Sequence, residues 1–395
     1  MYNILLLLGE SMTNEEPEMK DEHEASWAAE EFAEINLGDK RLNARLVKLC
    51  NRFSDAPESP INQACADWAE TKAAYRFFQN ENAEVGQILA THRCKTAQRA
   101  KKHKMVLAVQ DTSYFVYTSH RKTEGLGKLS LMKGKNIDKI YSNGLVVHTC
   151  LAVTREGLPL GLLDQKIFSR KLRPEKARRS KSSQPHDNLP VEEKESYRWL
   201  EALAKTKEAM GDSGIITVCD READLYDFFK LSHQIGSPVL VRASANRTIN
   251  RNSRYKVLWY CLRWRIEMYF KVLKSGFRIE ECRLGRADRL ARYLTVMSIV
   301  AWRLFMITLI ARTDPAAPCS ALLADHEWKV LFLKVNKNKP LPKKPPPIGD
   351  VVIWIAKLGG YLARKSDGPP GTIALWRGWK RLADLTEGWN LAVQE

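Results

Sequence analysis

At 395 residues the chain has room for two or three domains, and a hydrophobic fraction of 44% supports genuine cores. The formal charge of +17 points to a polyanionic partner and is blocked rather than spread: residues 40–104 carry 13 Lys and Arg against 6 Asp and Glu, and residues 256–303 carry 11 against 4. Eight scattered Cys without a CxxC pair argue against a zinc site and for the reduced thiols of a cytoplasmic protein. The Leu run at 5–8 is too short for a membrane span, and no P-loop is present, so neither a membrane nor a nucleotide cofactor is expected.

Residues 1–35 hold ten acids and one Lys, and residues 1–26 read as a disordered acidic N-terminus in which Met12 is an alternative start. Residues 27–104 read as a helical domain. Asp39 can cap a helix carrying Arg41, Arg45, Lys48 and Arg52, with Leu42, Leu46 and Leu49 on its apolar side. Pro57 and Pro60 break that pattern. A second helix over 68–78 places Lys72 and Arg76 one turn apart, and a third covers 85–102.

From 105 the period changes. A buried strand over 105–110 ends at Asp111. Segments 145–153 and 158–168 form a hairpin around Arg155-Glu156-Gly157. Residues 170–190 are a charged, Ser/Pro-rich linker, and a helix covers 191–210. A strand over 215–219 ends at Asp220, a helix spans 224–231, and a strand over 238–243 precedes the helix that bears Glu267. Beyond 286 the chain is helical again, with 290–309 apolar on most sides and therefore buried. A basic Pro-rich linker, 334–349, leads to two amphipathic helices within 350–395, split by Asp367-Gly368-Pro369-Pro370-Gly371. Trp354, Trp376, Trp379 and Trp389 crowd this tail, which suits a small core and an aromatic protein interface equally.

Three strands, helix, strand, helix, strand, helix is the order of a ribonuclease-H-like fold of the α/β class. In open α/β sheets ligands bind at the C-terminal ends of parallel strands. Asp111 and Asp220 emerge there, and the following helix can bring Glu267 over them. On that helix Tyr260, Arg263, Glu267 and Lys274 stand at offsets 0, +3, +7 and +14, within an arc of about 60°. Such spacing ordinarily means a solvated charged face; the two upstream acids give it another meaning. Three converging carboxylates suit hard divalent cations, Mg²⁺ with Mn²⁺ as a substitute, and in-line displacement at phosphorus. In Asp220-Arg221-Glu222-Ala223-Asp224, the last two acids fit a helix start, where they complement the dipole. Arg221 is placed to reach phosphate.

The segment Val218-Cys219-Asp220-Arg221-Glu222-Ala223-Asp224 resembles the second-acid motif of DDE transposases of the IS-four family, Tn-five branch. Tyr260, Arg263, Glu267 and Lys274 match that family's Tyr-Arg-Glu-Lys signature, and Asp111-Thr112 resembles its first-acid motif. Leu37-Gly38-Asp39-Lys40-Arg41, with Arg45 and Ala74-Tyr75-Arg76-Phe77, is similar to its end-binding domain; the tail around Gly359-Gly360 and Leu375-Trp376-Arg377-Gly378-Trp379 is similar to its dimerisation helices. The resemblance implies an N-terminal helical DNA-binding domain (27–104), a ribonuclease-H-like catalytic core (105–285), a helical extension (286–333) and C-terminal dimerisation helices (350–395). It implies cut-and-paste transposition by a homodimer on double-stranded transposon-end DNA and target DNA. Asp111, Asp220 and Glu267 would hold Mg²⁺. Tyr260, Arg263, Lys271, Lys274 and Arg221 would contact phosphate, and Arg41, Arg45 and Arg76 end DNA. One departure stands out: family members carry a β-rich insertion before the signature helix, and here it is missing near 244–256. Asp220 and Glu267 are 47 positions apart, against 109 between Asp111 and Asp220. The alternative is a non-catalytic DNA-binding remnant or inhibitor acting on transposon ends.

Overall fold

The computed structural model describes residues 26–120, 122–132, 140–170, 190–244, 254–337, 339–364 and 366–393. The acidic N-terminus, most of the 170–190 linker and the 245–253 junction lie outside them.

Five helices come first: α1 (Trp27–Glu31), α2 (Lys40–Asp55), α3 (Ile61–Ala64), α4 (Trp68–Gln79) and α5 (Val85–Lys101). Asp39 caps α2 as expected, its carboxylate accepting the Arg41 N–H at 2.8 Å, and Asp67 caps α4 by accepting from Glu70 N–H. Leu42, Leu46, Leu49 and Phe53 recur at helical spacing on the buried face of α2. They do not form a separate core. Phe53 and Phe78 pack edge-on against Tyr293 with ring centroids 5.9 and 5.5 Å apart, so these helices share a core with α10 (Ala287–Thr313).

The strands are β1 (Val106–Val116), β2 (Gly127–Met132), β3 (Ile140–Thr154), β4 (Pro159–Phe168), β5 (Ile215–Cys219) and β6 (Val239–Val241). β1 is central. It pairs antiparallel with β3 along its whole length and parallel with β5 from Val106↔Ile215 to Val109↔Val218. β4 and β2 line the far edge of β3, and β6 continues the sheet in parallel beyond β5. The order β4-β3-β1-β5-β6, two antiparallel additions on one side of β1 and two parallel on the other, is a ribonuclease-H-like core, with β2 as an extra strand not foreseen in the sequence.

Period-2 alternation sorts β1 between two layers. Val106 and Ala108 pack with α5 and with α6 (Tyr197–Met210). Leu107 and Val109 pack with α10 and with α9 (Trp264–Lys271). α10 is long and apolar enough to span a membrane, but 83% of its apolar window is buried, so it is the central core helix.

Several sequence expectations are corrected. The first strand does not end at Asp111; it runs on to Val116 because β3 pairs with it throughout. The helix expected over 191–210 begins at Tyr197, after a short 3-10 turn. The helix expected from 224 is α7 (Tyr226–Gln234), preceded by a 3-10 turn at Arg221–Ala223. The signature helix is not continuous: α8 (Arg254–Cys261) is separated from α9 by a turn at Leu262 and Arg263, and α9 runs into a π-helical turn, Val272–Gly276.

The C-terminal region adds α11 (Asp325–Val335), α12 (Ile348–Leu358) and α13 (Thr372–Val393). α12 and α13 cross at two glycines. A Cβ on Gly359 would lie 1.7 Å from the Ala374 carbonyl oxygen, and one on Gly378 would lie 1.7 Å from that of Ile355. Trp376 is buried and Trp354 and Trp379 half-buried in this packing, while Trp389 remains exposed. The aromatic tail is mostly core.

Candidate active site

Alternation along β1 decides where the first acid points. Asp111 has the parity of Leu107 and Val109, so it faces α9; Gln110 and Thr112 face α6. The parallel register with β5 does the rest. Two positions beyond the last pair, Val109↔Val218, stand Asp111 and Asp220, level with each other on adjacent strands. Asp220 follows the last residue of β5, and its carboxylate accepts the Glu222 N–H at 2.9 Å to cap the 3-10 turn.

Glu267 reaches the same place through Arg263. The Arg263 Nη1 donates to Asp111 Oδ2 at 3.1 Å, and its Nη2 donates to Glu267, one turn along. The other Asp111 oxygen accepts the Thr112 N–H at 2.8 Å. Burial pushes the Asp111 carboxyl up to about 6; the Thr112 N–H and the Arg263 guanidinium oppose the rise, and the charges of Asp220 and Glu267 add to it. Asp220 and Glu267 each lie close enough to Asp111 for their charges to act on it. As the side chains stand, no three His, Cys, Asp or Glu among the described residues are arranged to hold a metal ion, and the Arg263 guanidinium lies between two of these acids.

The remaining signature residues are less closely gathered. The Arg263 guanidinium lies 5.8 Å from the Tyr260 ring centre, and the Tyr260 hydroxyl is buried without a hydrogen-bond partner among the described residues. Lys274 sits in the π-helical turn with its Nζ 5.2 Å from the Phe115 ring, further along β1. Burial lowers its pKa, against the opposing charge of Glu280. Lys271 and Arg221 are exposed.

In the N-terminal helices Arg41 is exposed and folds back on Asp39 at 3.1 Å, Arg45 is half-buried, and Arg76 is exposed. Lys48 and Arg52, further along α2, both pair with the buried Glu70, at 3.6 and 3.1 Å. Two of the five cations of that helix are thus committed to internal structure.

The sequence did not disclose Arg198. It lies on α6, its side chain only 7% exposed, and donates to Thr112 beside Asp111 and to Glu222 beside Asp220. The available signal was an Arg next to Trp199 and Leu200, on the face that α6 buries. Glu222 and Asp224 also do more than start a helix, since Asp224 accepts from both the N–H and the hydroxyl of Ser244 at 2.7 Å.

Residues 24–83 match the transposase DNA-binding family, residues 169–303 the transposase DDE domain, and residues 299–394 the transposase Tn5 dimerisation domain. The DDE match takes in Asp220 and Glu267. Asp111 precedes it and is joined to them by strand register and by Arg263. With modules for binding DNA, for DDE chemistry and for dimerisation in that order along one chain, the protein is a Tn5-like DDE transposase.

Proposed function

We propose that this transposase, of the IS-four family, binds double-stranded transposon-end DNA as a homodimer and acts on it by divalent-metal-dependent phosphodiester hydrolysis and strand transfer. Asp111, Asp220 and Glu267 are its carboxylate set. The observation that carries the reading is that Asp111 on β1 and Asp220 just past the end of β5 lie two positions beyond the last pair of adjacent parallel strands, while one guanidinium joins Asp111 to Glu267. That donor set fits a hard cation such as Mg²⁺: it is all carboxylate oxygen, and a positive group already lies between two of its members. Bound there, the cation would polarise the scissile phosphate and stabilise charge on the attacking and leaving oxygens.

The chain's own groups have complementary tasks. Asp111 from β1, Asp220 from the turn after β5 and Glu267 from α9 would hold the cation. Arg263, Lys274, Lys271 and Arg221 present positive charge to the phosphate backbone, and the Tyr260 hydroxyl supplies a polar contact near the cleaved end. Arg41, Arg45 and Arg76 grip end DNA from the N-terminal helices, with an affinity that falls as salt rises. The domain assignment follows: DNA binding over 27–104, catalysis over 105–285, dimerisation over 350–395. Val241 and Arg254 are only 13 positions apart, so the chain is internally shortened and lacks an insertion domain at 244–256. Its place of action is the cytoplasm, where chromosomal DNA lies.

Two observations favour a second reading, that of a non-catalytic chain occupying transposon ends: Arg263 already bonds two of the three carboxylates, and the spacing from Asp220 to Glu267 is short. Nicking of duplex DNA in Mn²⁺ or Mg²⁺ separates the two. The catalytic reading predicts cleavage that Asp220→Ala and Glu267→Ala each reduce to background while DNA binding persists. Equal cleavage by the variants, or none by the unaltered chain under any divalent metal, contradicts it.

A further inference from the structure

Each of the two aspartates is held by a backbone N–H from a neighbouring residue: Thr112 donates to Asp111 at 2.8 Å and Glu222 to Asp220 at 2.9 Å. The side chains of those two residues meet on a single guanidinium. Arg198 Nε donates to Thr112 Oγ1 at 3.0 Å and Nη2 to Glu222 Oε2 at 2.7 Å, while Nη1 donates to the Glu195 carbonyl at 2.7 Å and anchors the fork to the start of α6. The same Thr112 hydroxyl lies 2.9 Å from Nδ1 of the fully buried His148, whose Nε2 is 3.3 Å from Gln110 Oε1. His148 is kept neutral by burial, with Arg198 and Lys166 acting the same way, so it adds no competing charge.

The geometry points to Arg198 as a positioning residue that sets the separation of Asp111 and Asp220 from the α6 side of the sheet. β1 and β5 share no pairing beyond Val109↔Val218, so the ladder itself does not fix the two carboxylates. The planar fork of an Arg spans two acceptors rigidly, which a Lys cannot do. Arg198 touches neither carboxylate; it acts through Thr112 and Glu222, as the supports of metal ligands do. On the far side of β1, Arg263 bonds to Asp111 directly. The two arginines thus hold opposite faces of one strand at adjacent residues.

This assignment rests on the reading of Asp111 and Asp220 as metal ligands, and the test separates the two. Mn²⁺ binding to the full chain, followed by electron paramagnetic resonance without DNA, is compared for the unaltered protein, Arg198→Met, Arg198→Lys and Asp220→Asn. Arg198→Met is expected to weaken Mn²⁺ binding about tenfold, and Arg198→Lys, with one donor group instead of a fork, to restore only part of it. Nicking should recover toward the unaltered rate at saturating Mn²⁺, which a general loss of folding would not allow. Because Arg198 is nearly buried, Thr112→Val and Thr112→Ser provide a second pair: Val should weaken Mn²⁺ binding as Arg198→Met does, and Ser, which keeps the hydroxyl, should recover most of it. Folded Arg198→Met or Thr112→Val proteins that bind Mn²⁺ within twofold of the unaltered chain overturn the positioning role. An unaltered chain that binds Mn²⁺ no better than Asp220→Asn overturns the metal-site reading, and the positioning role with it.

Discussion

Arg263 bridges two acids of the site, Asp111 and Glu267. With Asp111 at 17% and Glu267 at 32% side-chain exposure, two carboxylates this close need a counter-charge, and the guanidinium supplies it from one helical turn before Glu267. Removing one partner of such a partly buried pair typically costs about 3 kcal/mol. Arg263→Met should therefore lower the unfolding midpoint, and Mn²⁺ should raise it more in the variant than in the unaltered protein. An equal Mn²⁺ response in both would show that the cation and the guanidinium do not compete for the same carboxylates. The sequence named Asp111, Asp220, Arg263 and Glu267 because their types and spacing are unusual together. It could not name Arg198, and it named Thr112 only as the neighbour of Asp111; the bond between Arg198 and Thr112 is visible only once Thr112 is seen to face α6.

At the scale of elements, two contacts carry predictions. The first docks α1 on α5. Burial alone would raise the Glu31 carboxyl, but His92 and Arg99 outweigh it and hold Glu31 at about 2. His92 Nδ1 lies 2.5 Å away, Arg99 donates through both terminal nitrogens at 2.6 and 3.0 Å, and the Leu162 N–H donates to the other His92 nitrogen. A carboxyl depressed in the folded state stabilises it above the unfolded value near 4.5 and loses that contribution as pH falls toward 2. Burial lowers the His92 pKa, so at pH 7 the ring is neutral and the charge beside Glu31 is that of Arg99; relative to Glu31→Gln, the unaltered chain should be more stable at pH 7, and the gap should close as pH falls below about 4.5. Unfolding midpoints across that range check it, and a gap independent of pH would contradict it.

The second contact is the crossing of α12 and α13. Gly378→Val would drive a side chain into the Ile355 carbonyl and should cost at least about 2 kcal/mol by overpacking, with loss of dimer measured by light scattering. An unchanged dimer of normal stability would remove this crossing from the account. The glycines and tryptophans were visible in the sequence; their close approach was not, since it depends on helix packing. Likewise β5 was legible to the residue because its apolar run is short and bounded. β1 was cut short because Asp111, Thr112 and Ser113 look polar, while the pairing with β3 overrides that local signal.

Across the whole molecule the DNA-binding helices, the sheet and the C-terminal helices meet on α10, which contributes to the core shared with α2, α4 and β4 and to the cluster containing α12 and α13. That helix was readable from its apolar character alone. The placing of Asp111 level with Asp220 and its link to Glu267 through Arg263 were not, because strand register and helix docking both had to be known. Anomalous diffraction from crystals grown in Mn²⁺ tests the central claim most directly. The account predicts Mn²⁺ ligated by Asp111 and Asp220 on the α9 side of β1, with Arg263 withdrawn from Asp111. Saturating Mn²⁺ that leaves no ion at these carboxylates, with Arg263 still joining Asp111 to Glu267, would contradict it.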